Sequence, residues 1–234
     1  HTILDGNSAT HLVHEARKRG VMTERQFRHA VWLSILYKLH IGEPIRMINR
    51  MLSWLKGQEE NSIMALSKEI FDHIIKDTIR PEILETIRKH RAKNGAVVLL
   101  SSATTPICIP VSQYLDLDEM ICTRLESENG TFTGYTLGKL VYGQEKKVRM
   151  IEFCREKNYD PQEAWYYGDS YTDKYVMEAV GNPVAVSPDK RHSRRRRVFD
   201  STVLLGGVVH GPLRACCRAR HVYRPNVPQV HPGA

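Results

Sequence analysis

The run AVVLL at residues 96–100 separates two kinds of hydrophobic pattern, and the position of that switch constrains the fold more than any other feature of the chain. Up to residue 92 the pattern is helical. Residues 9–19 place Leu12, Val13 and Ala16 on one face and stop at Gly20, and Thr23 with Gln26 has the form of a capping box opening a helix that runs to Leu39. A third helix follows Pro44, with Ile45, Ile48, Leu52 and Leu55 at helical spacing and Gly57 at its end; residues 62–75 and 81–91 predict two more. Amphipathic helices in such a set pack on one another or cover something else.

After Asn94-Gly95 the period changes. Five continuous apolar residues suit a strand buried on both faces of a parallel sheet. A helical stretch at 106–115, a strand at 120–123 and a hairpin over 124–134 around Asn129-Gly130 come next. A helix at 146–157, a strand at 164–167, a helix at 173–180 and a strand at 183–186 follow. Strands alternating with helices imply right-handed crossovers and a mostly parallel α/β sheet, whose site lies at the carboxyl ends of the strands.

Composition narrows the function. With 234 residues, 41% of them hydrophobic, the chain can bury one good core or a core with a smaller cap. The longest apolar candidate, residues 31–39, is far short of a membrane span and is interrupted by Lys38. The net charge of +8 sits wholly at one end: residues 1–189 hold 24 Lys/Arg against 25 Asp/Glu, and the excess belongs to residues 190–234, with the run Arg194 to Arg197. The core therefore offers no basic groove for nucleic acid, and the tail reads as a solvated arm rather than a nucleic-acid arm. Cys108, Cys122, Cys154, Cys216 and Cys217 lack zinc or disulfide spacing, so a reduced, cytoplasmic protein is the expectation.

Three polar groups fall at the strand ends. Ser101-Ser102 follow AVVLL, where a hydroxyl and nearby backbone N–H groups can hold an oxyanion or merely make a turn. Lys146 opens a helix in GQEKK, a place that also suits a solvated surface lysine. In YYGDSYTDKYVM a buried aromatic strand delivers Asp169 at its end and Asp173 four residues on. Two such carboxylates can cap the next helix or hold a hard divalent cation such as Mg²⁺, and the spacing favours the metal.

Taken together, hydroxyl, lysine and paired aspartates in that order resemble the haloacid dehalogenase superfamily. SSATTPI is similar to its second motif, Lys146 to its third and GDSYTD to its fourth, while His1-Thr2 fits the last two positions of a first motif of the form Asp-x-Asp-x-Thr. The intervening helices, with SATTPICIPVSQYLDLD, TRLESENGTFTG and VGNPVAVSPDKR, resemble the phosphoserine-phosphatase-like branch over residues 1–191. The resemblance implies a Rossmann-like, three-layer α/β/α core formed by residues 1–8 and 93–191, with residues 9–92 as an inserted all-helical cap.

The same resemblance implies a Mg²⁺-dependent phosphomonoester hydrolase acting on a small phosphorylated metabolite. In that chemistry the first Asp of motif one attacks the phosphate ester and the second serves as acid and base. Ser101 and Ser102 would bind phosphate oxygens, Lys146 would neutralise the phosphate and the nucleophile, and Asp169 would ligand Mg²⁺. Asp173 would complete the metal shell or hold Lys146, and Thr2 and Arg124 would contact substrate, although a plain surface role for Arg124 is equally open. Both motif-one aspartates would lie upstream of His1, so that the chain is expected to be truncated, inactive as written, and without the first strand of its sheet. The alternative is a non-catalytic phosphate- and Mg²⁺-binding or interaction domain, as part of a larger fusion. Residues 192–234 lack any period and are expected to be disordered or out of frame after a frameshift near Arg191. Asp5 reads as a turn residue or a pocket residue, and Trp32, Trp54 and Phe71 as cap core.

Overall fold

The computed structural model describes residues 2–6, 8–39, 41–186 and the backbone of 208–209. Five α-helices come first: α1 (Ser8–Lys18), α2 (Glu24–Lys38), α3 (Pro44–Leu52), α4 (Glu60–Ile70) and α5 (Pro81–Arg91). Local chemistry starts them. Thr23 and Gln26 close the capping box, the Thr23 hydroxyl accepting from the Gln26 N–H at 3.3 Å while the Thr23 N–H donates to the Gln26 side chain at 2.8 Å. Glu43 caps α3 by accepting from the N–H groups of Ile45 and Arg46 at 2.9 and 2.8 Å. The helix expected over 62–75 is interrupted: α4 ends at Ile70, and Phe71–Ile75 widen into a π-helical turn before a 3-10 turn at Lys76–Thr78. Both windings keep Phe71 and Ile75 on the buried side, so apolar spacing does not distinguish them.

The α/β part contains β1 (Ala96–Thr104), α6 (Thr105–Tyr114), β2 (Glu119–Thr123), β3 (Leu125–Glu128), β4 (Thr131–Thr136), α7 (Gln144–Lys157), β5 (Trp165–Gly168), α8 (Lys174–Met177), β6 (Asn182–Ala185) and β7 (Val208–Val209). One sheet runs β2-β1-β7-β5-β6, with β1 parallel to β2 and β5 parallel to β6. Layers form because the pleat sends alternate residues to opposite faces. Tyr167, Val97, Ile107 and Val111 join the cluster that also contains the helical residues Leu12, Phe27, Trp54 and Ile63. Tyr166 lies on the other face with Met150, Val176 and Met177 of α7 and α8.

The centre of the sheet differs from expectation. Val208–Val209, within the segment read as a tail outside the fold, form β7 antiparallel to both β1 and β5, pairing with Ala96, Val97 and Trp165. The apolar pair supplies two residues to a position flanked by buried strands, and that pattern was indistinguishable from a stray hydrophobic patch in an aperiodic segment. The remainder of 192–234 lies outside the described residues, as does His1.

Backbone hydrogen bonds stitch the helical layer along two lines. Residues 3–5 run against 78–80, with Asp5 N–H donating to the Thr78 carbonyl at 2.8 Å and Arg80 N–H to that of Ile3 at 3.1 Å. The β3–β4 hairpin attaches to the stretch before α4: Gly57 N–H donates to the Phe132 carbonyl and Phe132 N–H to that of Gln58, each at 2.9 Å. Gly134, at φ +86°, lets the hairpin approach; a Cβ there would meet the Lys56 Cβ at 2.9 Å.

Candidate active site

The site is built from the end of β1, the start of α7 and the turn after β5. β1 does not stop at Leu100 but continues through the serines, and its pairing with β2 slips there: Leu100 faces Ile121 and Thr104 faces Thr123, so four steps of β1 oppose two of β2. The surplus residues bulge, as strands do where they re-aim side chains. Thr123, fully buried, holds the bulge by donating to the Ser102 carbonyl at 3.1 Å while its hydroxyl accepts from Val141 N–H at 3.2 Å. The Ser101 hydroxyl accepts from Ala103 N–H at 3.1 Å. Hydrogen bonding with Cys122 and burial hold the Cys108 thiol well above its ordinary range, while the Ser101 hydroxyl, hydrogen-bonded to the same thiol, and the Lys146 charge oppose them.

Lys146 lies in the first turn of α7, after Gly143 at φ 56°. Its position is not that of a solvated lysine: it is buried, and Nζ donates to Asp173 Oδ1 at 2.6 Å. The same oxygen accepts from the Tyr166 hydroxyl at 3.0 Å, and Oδ2 accepts from Ser170 N–H at 3.2 Å. Burial first, then the Asp173 charge, pushes the Tyr166 hydroxyl well above its ordinary range, so it stays a donor. Gly168 makes room for this arrangement: a Cβ there would meet Asp173 Cβ at 2.9 Å and Tyr166 Cε1 at 3.0 Å. Of the two roles left open for Asp173, its hydrogen bonds match the lysine holder.

Asp169, next to Gly168, accepts from the Thr2 hydroxyl at 2.5 Å, which brings the first residues of the chain to the end of β5. Above the site, the Tyr37 hydroxyl of α2 lies 3.1 Å from that of Tyr142, joining the helical layer to the loop before α7. Burial, then Tyr37, raises the Tyr142 hydroxyl, with Asp173 and Glu43 adding to it. Arg124 is exposed between β2 and β3, and its charge acts on the Cys122 thiol. Asp5 is exposed with Arg80 at 3.7 Å, in the turn role. The chain reading missed Tyr166 and the Tyr37–Tyr142 contact. Strand alternation held a signal for the first, since Tyr166 and Gly168 share the face on which Asp173 must lie.

Among the described residues no three His, Cys, Asp or Glu side chains gather as a metal cluster. Asp169 supplies a hard carboxylate at the strand end, and Mg²⁺ is commonly held by one or two carboxylates with substrate and water oxygens completing its shell, so the donor chemistry fits that ion.

The family model for haloacid dehalogenase-like hydrolase matches residues 1–178. A phosphoserine phosphatase of Mycobacterium tuberculosis is 26% identical over 199 residues, covering 81% of this chain and 63% of that protein. A differentiation-inhibiting protein of Streptomyces azureus is 28% identical over 154 residues, covering 64% and 55%. The chain thus spans about three-fifths of the curated relatives' length. A Bordetella pertussis protein of unknown function has the same fold at TM-score 0.77 and 20% identity, covering 85% of this chain and 92% of its own. A substrate-bound phosphoserine phosphatase aligns at TM-score 0.63 and 16% identity, covering 82% and 85%. With the family model matched over most of its length and an α/β core under a helical layer, the chain belongs to the haloacid dehalogenase-like hydrolase family.

Proposed function

We propose that this protein is a Mg²⁺-dependent phosphomonoester hydrolase of the phosphoserine-phosphatase type, acting on a small phosphorylated metabolite. The buried Lys146–Asp173 pair carries the reading, because an ammonium fixed by a carboxylate at the carboxyl ends of the strands can neutralise a bound phosphate. Ser101 and the N–H groups of the bulge donate to the non-bridging oxygens. Lys146 neutralises the dianion, held in direction by Asp173, which is in turn fixed by Tyr166 and Ser170. Arg124 remains a candidate for the leaving-group side of the substrate. Asp169 would hold a Mg²⁺ ion, which would supply further neutralisation of phosphate charge. Phosphoryl transfer needs mainly such positioning and charge compensation, and the helical layer, joined to the core by Tyr37 and Tyr142, excludes water during it.

Asp169 holds Thr2 at the site, and on this reading Ser101 and Lys146 bind inorganic phosphate beside it. Calorimetry with phosphate and Mg²⁺, beside an aryl phosphate assay, tests this. Binding lost in Ser101→Ala and Lys146→Met supports the site; absence of binding in the parent sinks it. Mg²⁺-dependent aryl phosphate turnover that is lost in the same two variants supports the hydrolase.

A further inference from the structure

Helix α2 is apolar on two opposite faces. Phe27, Ala30 and Leu33 are buried against the neighbouring helices. On the outer side Trp32, Ile35 and Leu39 are 53%, 50% and 61% exposed. Their spacing of three and four residues sets them in one stripe that continues the exposed Arg25 and Arg28. Ile41, in the connection that follows, and Ile45, in the first turn of α3, are 54% and 43% exposed. Helices apolar all round are normally covered on both sides, and a contiguous exposed apolar surface marks an interaction.

The charges around this face choose its partner. Arg25 and Arg28 are exposed on the stripe and Lys38 is exposed at the end of α2, while Arg46 of α3 lies 3.9 Å from Glu43. The two acids of the same stretch are engaged: Glu24 accepts from Arg17 Nε at 2.7 Å, and Glu43 is occupied by the N–H groups at the start of α3. We propose that this face seats on an anionic lipid surface, Trp32, Ile35 and Leu39 entering the boundary between headgroups and acyl chains while Arg25, Arg28 and Lys38 meet lipid phosphates. A polar-rimmed apolar stripe containing Trp and flanked by Arg and Lys is the pattern of in-plane membrane attachment. No described helix is long and apolar enough to cross a membrane, so the contact is with one leaflet. A second copy of the chain fits the face less well. Parallel pairing along the stripe sets Arg25 and Arg28 against their own equivalents, and antiparallel pairing sets them against Leu39 and Ile35.

Co-sedimentation of the full chain with phosphatidylcholine vesicles, with and without phosphatidylglycerol, tests the proposal. Binding is expected to the anionic vesicles and to fall as salt is raised. Because Arg194 to Arg197 would hold anionic vesicles by charge alone, the deciding variant leaves every charge in place. Trp32→Ala with Leu39→Ser is expected to weaken partitioning by about ten-fold or more through lost apolar burial. Both side chains are more than half exposed, so an unchanged melting temperature is expected and separates this loss from unfolding. Equal binding by parent and variant, or no binding by the parent, overturns the proposal. So does a concentration-dependent dimer in light scattering that the variant loses while vesicles go unbound, since a second copy then owns the face.

Discussion

Nζ of Lys146 lies 2.6 Å from Oδ1 of Asp173 in an ion pair that water scarcely reaches. A pair so buried is costly to break from one side, because the surviving charge loses its partner and stays desolvated. Asp173→Ala is expected to lower unfolding stability by about 3–5 kcal/mol, whereas Lys146→Met with Asp173→Leu recovers most of the loss. Urea unfolding of the parent, single and double variants measures both; a double variant as unstable as the single would contradict this account.

Gly168→Ala forces a methyl against Asp173 and Tyr166, and overpacking of this kind costs about 1–3 kcal/mol. Because the crowded group is the lysine's partner, phosphate affinity should fall as well. Gly134→Ala provides the comparison: it crowds Lys56 at a positive φ, far from the site chemistry, and should destabilise without changing phosphate affinity. Calorimetry of both variants below their melting temperatures separates the two effects.

Asp169→Asn removes charge from the proposed cation ligand while keeping an acceptor for Thr2. A ligand that binds only the folded chain, at about a hundred times its dissociation constant, adds about 2.7 kcal/mol of stability. The parent should therefore melt higher with Mg²⁺ and phosphate, and Asp169→Asn should lose that increment while melting normally without them. Scanning calorimetry with and without the two ligands provides the readout.

Burial pushes the Cys154 thiol up to about 11, with Asp160 adding to it. Its folded value is raised above the unfolded one, so the stabilisation is complete below the ordinary thiol range and is lost as pH rises through about 11. In that window the unfolded chain holds fewer protons than the folded one, and stability must fall with rising pH. Cys154→Ala should be less stable near neutrality but show a shallower alkaline decline. Urea midpoints across alkaline pH give the comparison, and parallel declines for parent and variant would remove Cys154 as a cause.

What was legible in the chain was what local chemistry decides. Pro81 opens α5 and the Thr23–Gln26 box opens α2 at the expected places, since caps and proline rings act within one turn. Ser101, Lys146, Asp169 and Asp173 could be selected because strand ends and their spacing are written in order. The parts that stayed hidden depend on distant partners. The bulge at Ser101 is held by Thr123, the Asp173 hydroxyl donor arrives from Tyr166 on a strand that reads simply as aromatic core, and β7 takes its place through pairing with β1 and β5. The burial of Lys146 is of the same kind: GQEKK does not tell which of its adjacent lysines turns inward.

The two lines of backbone bonding, 3–5 with 78–80 and 57–60 with 130–132, fasten the helical layer much as a panel is fixed along two rails. Such a panel cannot lift away as a whole without tearing both. The α2–α3 corner meets the β3–β4 hairpin through α3 and the loop before α7 where the Tyr37 and Tyr142 hydroxyls lie 3.1 Å apart. Replacing Tyr37 or Tyr142 by Phe therefore removes a bond between two layers and leaves both lines of backbone pairing in place.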